Sequence, residues 1–314
     1  MNAQAPRLSV VIPVFNSEAS LGMLTERLIP VLEERGAAFE ILLVNDGSAD
    51  QSWRVVEDLA KDRPFIRGIN FMRNYGQHNA LLCGIRAANY EVIATLDDDL
   101  QHPPEELHKL LAALDTDADV VYGTPRLERH GLLRDLASKL TKLALQSAMG
   151  ASTARKVSAF RVLRTHLREA FAEYRSPHVN VDILLTWATT KFAAVEVSHD
   201  RRPIGASNYT FGKLLTHALN MMTGFSTLPL QFASWTGFAF TLFGVVVLAG
   251  VVTRYLVSGS TVPGFSFLAS VIAIFSGAQL LALGIIGEYV ARIHSRSLDR
   301  PAYIVRTTTE RSER

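Results

Sequence analysis

The stretch Val92-Ile93-Ala94-Thr95-Leu96-Asp97-Asp98-Asp99 joins a short apolar run directly to three consecutive carboxylates. The apolar half predicts a buried strand, so the carboxylates fall where that strand ends. Three adjacent acids repel one another unless a cation or several hydrogen-bond donors compensate. If the segment stays extended, Asp97 and Asp99 point to one side and Asp98 to the other. We therefore predict a divalent-metal site at Asp97 and Asp99; the alternative is a solvated acidic turn that caps the following helix.

Two apolar runs upstream also end in polar residues. Residues 8–14 form a run that stops at Asn16, and residues 40–44 form a second that stops at Asn45-Asp46-Gly47-Ser48. Segments with helical periodicity alternate with the predicted strands, at residues 20–35, 52–61 and 79–88. This alternation predicts an α/β doubly wound, Rossmann-like sheet. Ligands of such sheets bind beyond the carboxyl ends of the strands, where all three polar turns are expected.

Two segments near the C-terminal end have the length and composition of membrane helices. Residues 235–253 and 265–287 contain no Asp, Glu, Lys or Arg, and each is long enough to cross about 30 Å of hydrocarbon. The short connector at 257–264 predicts a hairpin with both flanks on one side. Arginines and a lysine flank that side and place it in the cytoplasm: Lys213, Arg292, Arg296, Arg300 and Arg306. Arg254 at the opposite end is an exception that can reach the headgroups.

Composition excludes several classes of protein. The 314 residues are 48% hydrophobic, enough for one large core and two lipid-facing segments. The N-terminal residues do not resemble a signal peptide, and the single cysteine excludes an internal disulfide and fits a reducing compartment. A formal net charge of +2 gives no support for a nucleic-acid partner.

The predicted organisation has four parts. Residues 1–210 form the soluble domain, and 211–230 an amphipathic helix in the membrane interface, where an apolar stripe faces polar residues. Residues 231–290 hold the two membrane helices, and 291–314 form a cytoplasmic tail. The spacing of Gly277, Gly284 and Gly287 permits close helix packing and gives weak support for a homo-oligomer.

Five short blocks occur in order along the chain: VIPVFN at 11–16, NDGS at 45–48, RNYGQH at 73–78, DDDLQHPPEE at 97–106 and GEY at 287–289. Together they resemble the polyprenyl-phosphate glycosyltransferases, which include dolichol-phosphate mannose synthase and the bacterial undecaprenyl-phosphate glucosyl and aminoarabinose transferases. The resemblance extends over nearly the whole chain, including the hairpin. It implies a GT-A fold and an inverting transfer of a sugar from a nucleoside-diphosphate sugar, with UDP favoured, to undecaprenyl phosphate at the bacterial inner membrane.

The resemblance also implies roles for single residues. Mg²⁺ or Mn²⁺ would bind at Asp97 and Asp99, with Asp98 beside the donor. Other donor-binding positions are Pro13, Phe15, Ser17, Asp46, Arg202 and Asn208. The phenyl ring of Phe15 suits the face of a uracil, and the carboxylate of Asp46 suits its N–H edge. The alternatives are that Phe15 packs in the core and that Asp46 fixes a turn with Gly47.

Three arginines and a serine match positions that contact phosphate in the family. Arg126 and Arg202 match arginines that meet the diphosphate and take part in catalysis, and Arg126, Arg134 and Ser138 match the group for the acceptor phosphate. Two departures concern the donor: the family usually has lysine at Asn208 and glutamate at Ser17. Arg201 or another cation is the candidate replacement for the lysine, the alternative being that the donor is held differently. Glu18, one residue after Ser17, is a partial replacement for the missing glutamate.

Two other functions are alternatives to sugar transfer onto undecaprenyl phosphate. A processive polysaccharide synthase usually carries a Gln-x-x-Arg-Trp segment, and no tryptophan here follows an arginine. A non-catalytic membrane scaffold that binds a nucleotide is the second rival. His78 suggests a general base, but a phosphate monoester is mostly ionised at pH 7 and needs none. A structural role in its loop or a contact with the sugar is the better interpretation.

Overall fold

The computed structural model describes residues 5–114, 117–125, 156–200, 227–258 and 265–309. In that part of the chain one eight-stranded sheet has the spatial order β7-β5-β6-β4-β1-β2-β3-β8. The strands are β1 Leu8–Val14, β2 Phe39–Asn45, β3 Ile66–Phe71, β4 Val92–Thr95, β5 Val120–Pro125, β6 Arg161–Arg164, β7 Phe192–Val197 and β8 Val305–Thr308.

The centre of the sheet is parallel. Strand β1 pairs in parallel with β2 and β4, and β2 with β3. Strand β6 is antiparallel to β4 and β5, and β8 is antiparallel to β3. The sheet is therefore mixed, and its parallel core carries the three polar turns to one edge.

Helices cover both faces of the sheet, which confirms the predicted α/β architecture. They are α1 Leu21–Glu34, α2 Ser52–Asp62, α3 Gln77–Ala87, α4 Leu107–Leu114 and α5 Val181–Ala188, with 3₁₀ helices at Pro104–Glu106 and Thr165–Phe171. Alternate residues of β1 point to opposite faces. Val10 and Ile12 pack with α1 and α4 in one cluster, and Val11 packs with α3 and α5 in the other.

Helix α3 lies very close to β1 at Gly84. A Cβ atom on this glycine would be 2.2 Å from Val11 Cγ1, so Gly84→Ala must push the helix away from the sheet. We expect it to lower the free energy of unfolding by about 1–3 kcal/mol. The matched control is Gly22→Ala in α1, where no heavy atom lies within 4 Å and alanine should be neutral or stabilising by up to about 1 kcal/mol. The measurement is thermal unfolding of both variants. Equal unfolding temperatures would contradict the prediction.

The chain returns to the sheet after the apolar helices. The sequence analysis assigns residues 291–314 to a tail outside the domain, but Val305–Thr308 form edge strand β8 beside β3. Met72 N donates to Ile304 O at 3.0 Å, and Gly68 N donates to Thr309 Oγ1 at 2.8 Å. The side chains of β8 are exposed, so the strand is defined by its pairing and not by an apolar pattern.

Two helices, α6 Leu228–Ser258 and α7 Phe265–Ser297, follow the soluble part and are longer than predicted. Within them, Leu228–Val257 and Ile274–Ser297 are long and apolar enough to cross a membrane, and neither is buried against the protein. The helices contact each other at Phe240 and Phe275, whose ring centroids are 5.5 Å apart. The predicted interfacial helix lies almost entirely outside the described residues.

Candidate active site

The carboxyl ends of β1, β2 and β4 meet at one edge of the sheet, because these strands are parallel neighbours. Asp46 N donates to Val14 O at 2.9 Å, and Leu96 N donates to Val11 O at 3.3 Å. These bonds hold the turns after the three strands together. The polar residues that the sequence places at each strand end are therefore neighbours in the fold.

The three aspartates have different partners. Strand β4 ends at Thr95, so the aspartates lie in a turn and not in the extended segment that the sequence analysis assumes. Asp97 Oδ1 accepts from Gln77 Nε2 at 2.6 Å, while Asp99 Oδ1 accepts from Gln101 N at 3.1 Å. Asp98 differs from both, because its carboxylate faces the turn after β1.

The Asp98 carboxylate links the turn after β1 to the turn after β4 through hydrogen bonds. Its Oδ2 accepts from Phe15 N at 3.1 Å and from the hydroxyl of Ser17. Ser17 is buried, so its hydroxyl is used inside the protein. Serine at this position thereby gains a structural partner where the family usually has a glutamate.

The aspartate turn holds excess negative charge. Burial and repulsion from Asp99 and Asp98 raise the pKa of Asp97 to about 7, against the opposing influence of Arg161 and Gln77. The pKa of Asp98 is also raised, chiefly by burial. A bound cation would relieve this repulsion, so the residues present fit a divalent metal.

Within the part of the chain that the structure describes, few side chains are placed to bind a metal ion. No group of three or more His, Cys, Asp or Glu side chains in the described ranges is placed to hold a metal ion. Mg²⁺ is commonly held by one or two carboxylates together with substrate phosphates and water. The aspartate turn matches this arrangement, in which the remaining ligands come with the substrate.

An exposed aromatic ring lies beside the aspartate turn. Phe15 is 47% exposed at the end of β1, so it does not pack in the core. Pro13, in contrast, is buried within β1 opposite Val44. Of these two predicted donor-binding residues, Phe15 therefore has an exposed ring, whereas Pro13 is covered by the protein.

Asp46 fixes the loop between β3 and α3. It is 2% exposed, and its two oxygens accept from Tyr75 N at 2.6 Å and Gly76 N at 2.8 Å. Gly47 has φ +64°, and a Cβ there would lie 2.4 Å from the backbone carbon of Arg73. The turn-fixing interpretation of Asp46 and Gly47 thus has direct structural support, with the loop at residues 73–76 as the element that is fixed.

Asp46 should make stability depend on pH. Burial raises its pKa to about 6, although the two backbone N–H donors oppose this. The folded protein therefore binds a proton more tightly than the unfolded chain, and the resulting stability is present in acid and lost as the pH rises through about 6. We expect Asp46→Asn to become more stable relative to wild type between pH 5 and pH 7.5, by about 1.4 kcal/mol. The measurement is thermal unfolding of both proteins at several pH values. A constant difference in unfolding temperature between wild type and variant across this range would contradict the prediction.

His78 has a structural contact. Its Nδ1 accepts from Val181 N at 3.3 Å, at the first residue of α5. The helix is capped by Asn180, whose side chain accepts from Ile183 N at 3.0 Å. The contact supports a role for His78 in positioning α5 against α3, in preference to a catalytic base.

Five of the predicted site residues lie outside the described residues: Arg126, Arg134, Ser138, Arg202 and Asn208. Two residues that the sequence analysis missed act on the aspartate turn. Gln77 donates to Asp97, and the buried Arg161 acts on its charge. The sequence contains a signal for Gln77, because this residue belongs to the RNYGQH block. No local pattern distinguishes Arg161 from a surface arginine.

Comparison with known proteins agrees with this geometry. Residues 9–170 match Glycosyl transferase family 2. Over 306 residues the chain is 34% identical to the undecaprenyl-phosphate 4-deoxy-4-formamido-L-arabinose transferase of Photorhabdus laumondii, covering 96% of this chain and 94% of that protein. The transferase of the same name from Pectobacterium carotovorum is 35% identical over 305 residues, covering 96% and 93% of the two chains.

The fold resembles solved structures. Glucosyl-3-phosphoglycerate synthase from Mycobacterium tuberculosis, in complex with Mn²⁺, UDP and glucosyl-3-phosphoglycerate, aligns with a TM-score of 0.51 at 17% identity, covering 70% of this chain and 79% of that one. At this identity the likeness concerns the fold alone. The family match and the relatives along nearly the whole chain confirm the resemblance found in the sequence: the chain is an enzyme of glycosyl transferase family 2, among the polyprenyl-phosphate glycosyltransferases.

Proposed function

We propose that this enzyme transfers a sugar from a nucleoside-diphosphate sugar, with UDP as the favoured nucleotide, to undecaprenyl phosphate at the cytoplasmic face of the bacterial inner membrane. The observation that carries the proposal is the charged aspartate turn beside the exposed ring of Phe15. Relatives at 34–35% identity are named as undecaprenyl-phosphate sugar transferases, which supports the acceptor.

The aspartate turn would receive the diphosphate end of the donor. Asp97 and Asp99 would hold Mg²⁺ or Mn²⁺, which supplies positive charge for the departing nucleoside diphosphate. Phe15 would stack on the base, while Asp46 holds the neighbouring loop and Asp98 holds the backbone of Phe15 in place. The protein thus contributes positioning and electrostatics at the point where negative charge develops.

The acceptor phosphate needs no base to become a nucleophile. Its second pKa is near 6, so it is mostly ionised at pH 7. Arg126, Arg134 and Ser138 are the proposed acceptor contacts, and Arg202 with Asn208 the proposed donor loop. In-line attack of the phosphate oxygen on the anomeric carbon inverts the configuration at that carbon and releases the nucleoside diphosphate.

The path of the chain supports the proposed membrane arrangement. Helix α6 begins after the soluble domain, α7 ends at Ser297, and β8 then joins the sheet of that same domain. Both ends of the helix pair therefore belong to one body, which supports a two-pass hairpin with residues 1–210 in the cytoplasm. Basic residues beyond α7 agree with the positive-inside rule.

The test is a panel of UDP- and GDP-sugars incubated with the purified enzyme, undecaprenyl phosphate and Mg²⁺ or Mn²⁺. Sugar should appear in the lipid fraction with one donor class, in step with release of the nucleoside diphosphate. Omitting the metal, or adding excess EDTA, should stop both signals. Nucleotide release that never occurs, with or without the lipid, would identify a binding scaffold and overturn the proposal.

A further inference from the structure

The carboxyl end of β7 lies at the same edge of the sheet as the aspartate turn. Strand β6 is antiparallel to both of its neighbours, β4 and β5, so β5 runs in the same direction as β4. Strand β7 pairs in parallel with β5 and therefore ends where β4 ends. Residues 198–200, the exit segment, follow β7; they are exposed and belong to no helix or strand.

The exit segment is bound to Gln101, two residues after Asp99. Asp200 N donates to Gln101 O at 2.9 Å, and Gln101 Nε2 lies 3.4 Å from His199 Nε2. An amide nitrogen can only donate, so the neutral imidazole accepts through Nε2. The ring of His199 also packs edge-on against the ring of His102, with centroids 5.2 Å apart. One main-chain bond and two side-chain contacts thus join the exit segment to the aspartate turn.

Further polar contacts keep the exit segment in place. Arg27 of α1 donates to both oxygens of Glu105, at 2.8 and 3.0 Å, and its Nη2 lies 3.8 Å from Asp200 Oδ2. Ser198 Oγ donates to Glu106 Oε1 at 3.4 Å. Each residue of the exit segment therefore contacts the stretch that follows the aspartate turn, and the loss of one side chain should leave the segment where it is.

Gln101 in turn holds Asp99. Gln101 N donates to Asp99 Oδ1 at 3.1 Å, so the orientation of this carboxylate depends on where the backbone of Gln101 lies. Between the two residues, Leu100 has φ +60°, a conformation that a bulky side chain rarely adopts and that persists only where surrounding contacts hold it. The Leu100 side chain is buried in the core. Its packing and the contacts of the exit segment supply that hold.

We propose that His199 is a positioning residue that orients the Asp99 carboxylate for metal binding by holding Gln101. The path consists of two hydrogen bonds, one from the Gln101 side chain to His199 and one from the Gln101 backbone to Asp99. Partners that orient a metal ligand typically contribute about 10–100-fold to metal affinity. The lower end of this range applies, because His199 acts through one intervening residue. The inference rests on the proposed function, since it requires Asp99 to be a metal ligand.

The test compares His199→Ala and His199→Gln with a control, His166→Ala, in the full-length protein. Glutamine places an oxygen acceptor near the position of the imidazole Nε2 and should restore the contact. His166 is an exposed histidine of the 3₁₀ helix Thr165–Phe171. Both positions are exposed, so the unfolding temperature of each variant should stay close to that of wild type. Mn²⁺ affinity in the presence of UDP is measured by electron paramagnetic resonance, and nucleotide release is measured as a function of Mn²⁺ concentration.

We expect the dissociation constant for Mn²⁺ to rise about tenfold in His199→Ala and to change less than about threefold in His199→Gln and in the control. Because only metal binding is weakened, the rate of His199→Ala should approach that of wild type at saturating Mn²⁺. A merely structural loss would lower the rate at every Mn²⁺ concentration. Unchanged Mn²⁺ affinity in His199→Ala, or an equal loss in His199→Gln, would overturn the inference.

Two further measurements separate this inference from its alternatives. Pulsed electron paramagnetic resonance of bound Mn²⁺ should show no nitrogen coupling from an imidazole, and such a coupling would make His199 a ligand and overturn its positioning role. Asp99→Asn tests the proposed function by itself: if this variant binds Mn²⁺ like wild type, the proposed function fails first. If Asp99→Asn loses Mn²⁺ affinity and His199→Ala keeps it, only the inference fails.

Discussion

Asp97→Asn should abolish metal-dependent sugar transfer, with kcat falling by about a thousandfold. Asparagine is isosteric but uncharged, so the proposed metal site loses one of its two carboxylates, and stabilisation of the leaving diphosphate weakens by several kcal/mol. Asp99→Asn should act in the same way. The measurements are nucleotide release under saturating donor and lipid, and Mn²⁺ affinity of the free enzyme.

Two controls make this result specific. Asp117→Asn makes the same chemical change at an exposed residue paired with Lys191, and its rate should equal that of wild type. Asp98→Asn should act differently, because Asp98 holds Phe15 N and Ser17: the KM for the donor should rise more than the metal affinity falls. A variant at position 97 that keeps both its Mn²⁺ affinity and its rate would place the metal elsewhere.

Deleting residues 301–314 should lower the free energy of unfolding by about 3–5 kcal/mol and the unfolding temperature by about 10 °C. The deletion removes β8 and leaves β3 as an open edge with unpaired backbone groups. It also removes Tyr303, whose ring stacks on Phe71 with centroids 5.1 Å apart. Activity should fall with stability, because β3 leads directly into the loop that Asp46 holds.

The reactivity of the Cys83 thiol is a second measurement of the contact between residues 301–314 and the sheet. It is 4% exposed, and burial raises its pKa to about 12, so the native thiol should react very slowly with a maleimide at pH 7.5. In the truncated protein we expect labelling at least about tenfold faster. Tyr303→Phe keeps the stacked ring and should remain close to wild type. Truncated protein with an unchanged unfolding temperature and a protected thiol would show that β8 adds nothing to the sheet.

Much of the site was predictable because its signals are local. Apolar runs that end in Asn16, Asp46 and Asp97 indicate buried parallel strands, and parallel strands bring their carboxyl ends to one edge. Strand β8 was not predictable in this way. Its four residues, Val-Arg-Thr-Thr, are exposed, and they form a strand only because the edge of β3 offers backbone partners.

Side-chain partnerships were less predictable than strand positions. Alternation in an extended segment suggested that Asp97 and Asp99 act together, but the turn that begins after Thr95 gives each aspartate its own hydrogen-bond partner. In the sequence, Ser17 stands where the family usually has glutamate. In the fold, the hydroxyl of Ser17 donates a hydrogen bond to Asp98. The contact between Ser17 and Asp98 joins residues 81 positions apart, so no pattern within one segment contains it.

The amino-acid sequence by itself determined the class of fold, the edge of the sheet where the site forms, the family and the two apolar helices, because hydrophobic periodicity and short motifs are properties of neighbouring residues. Only the tertiary structure decided that β8 pairs with the edge of the sheet, that Asp46 holds a loop, and that the buried Arg161 pairs with Asp182. These features depend on backbone pairing and on charges brought together in a buried environment, where each group's partner is chosen by the packing of distant segments.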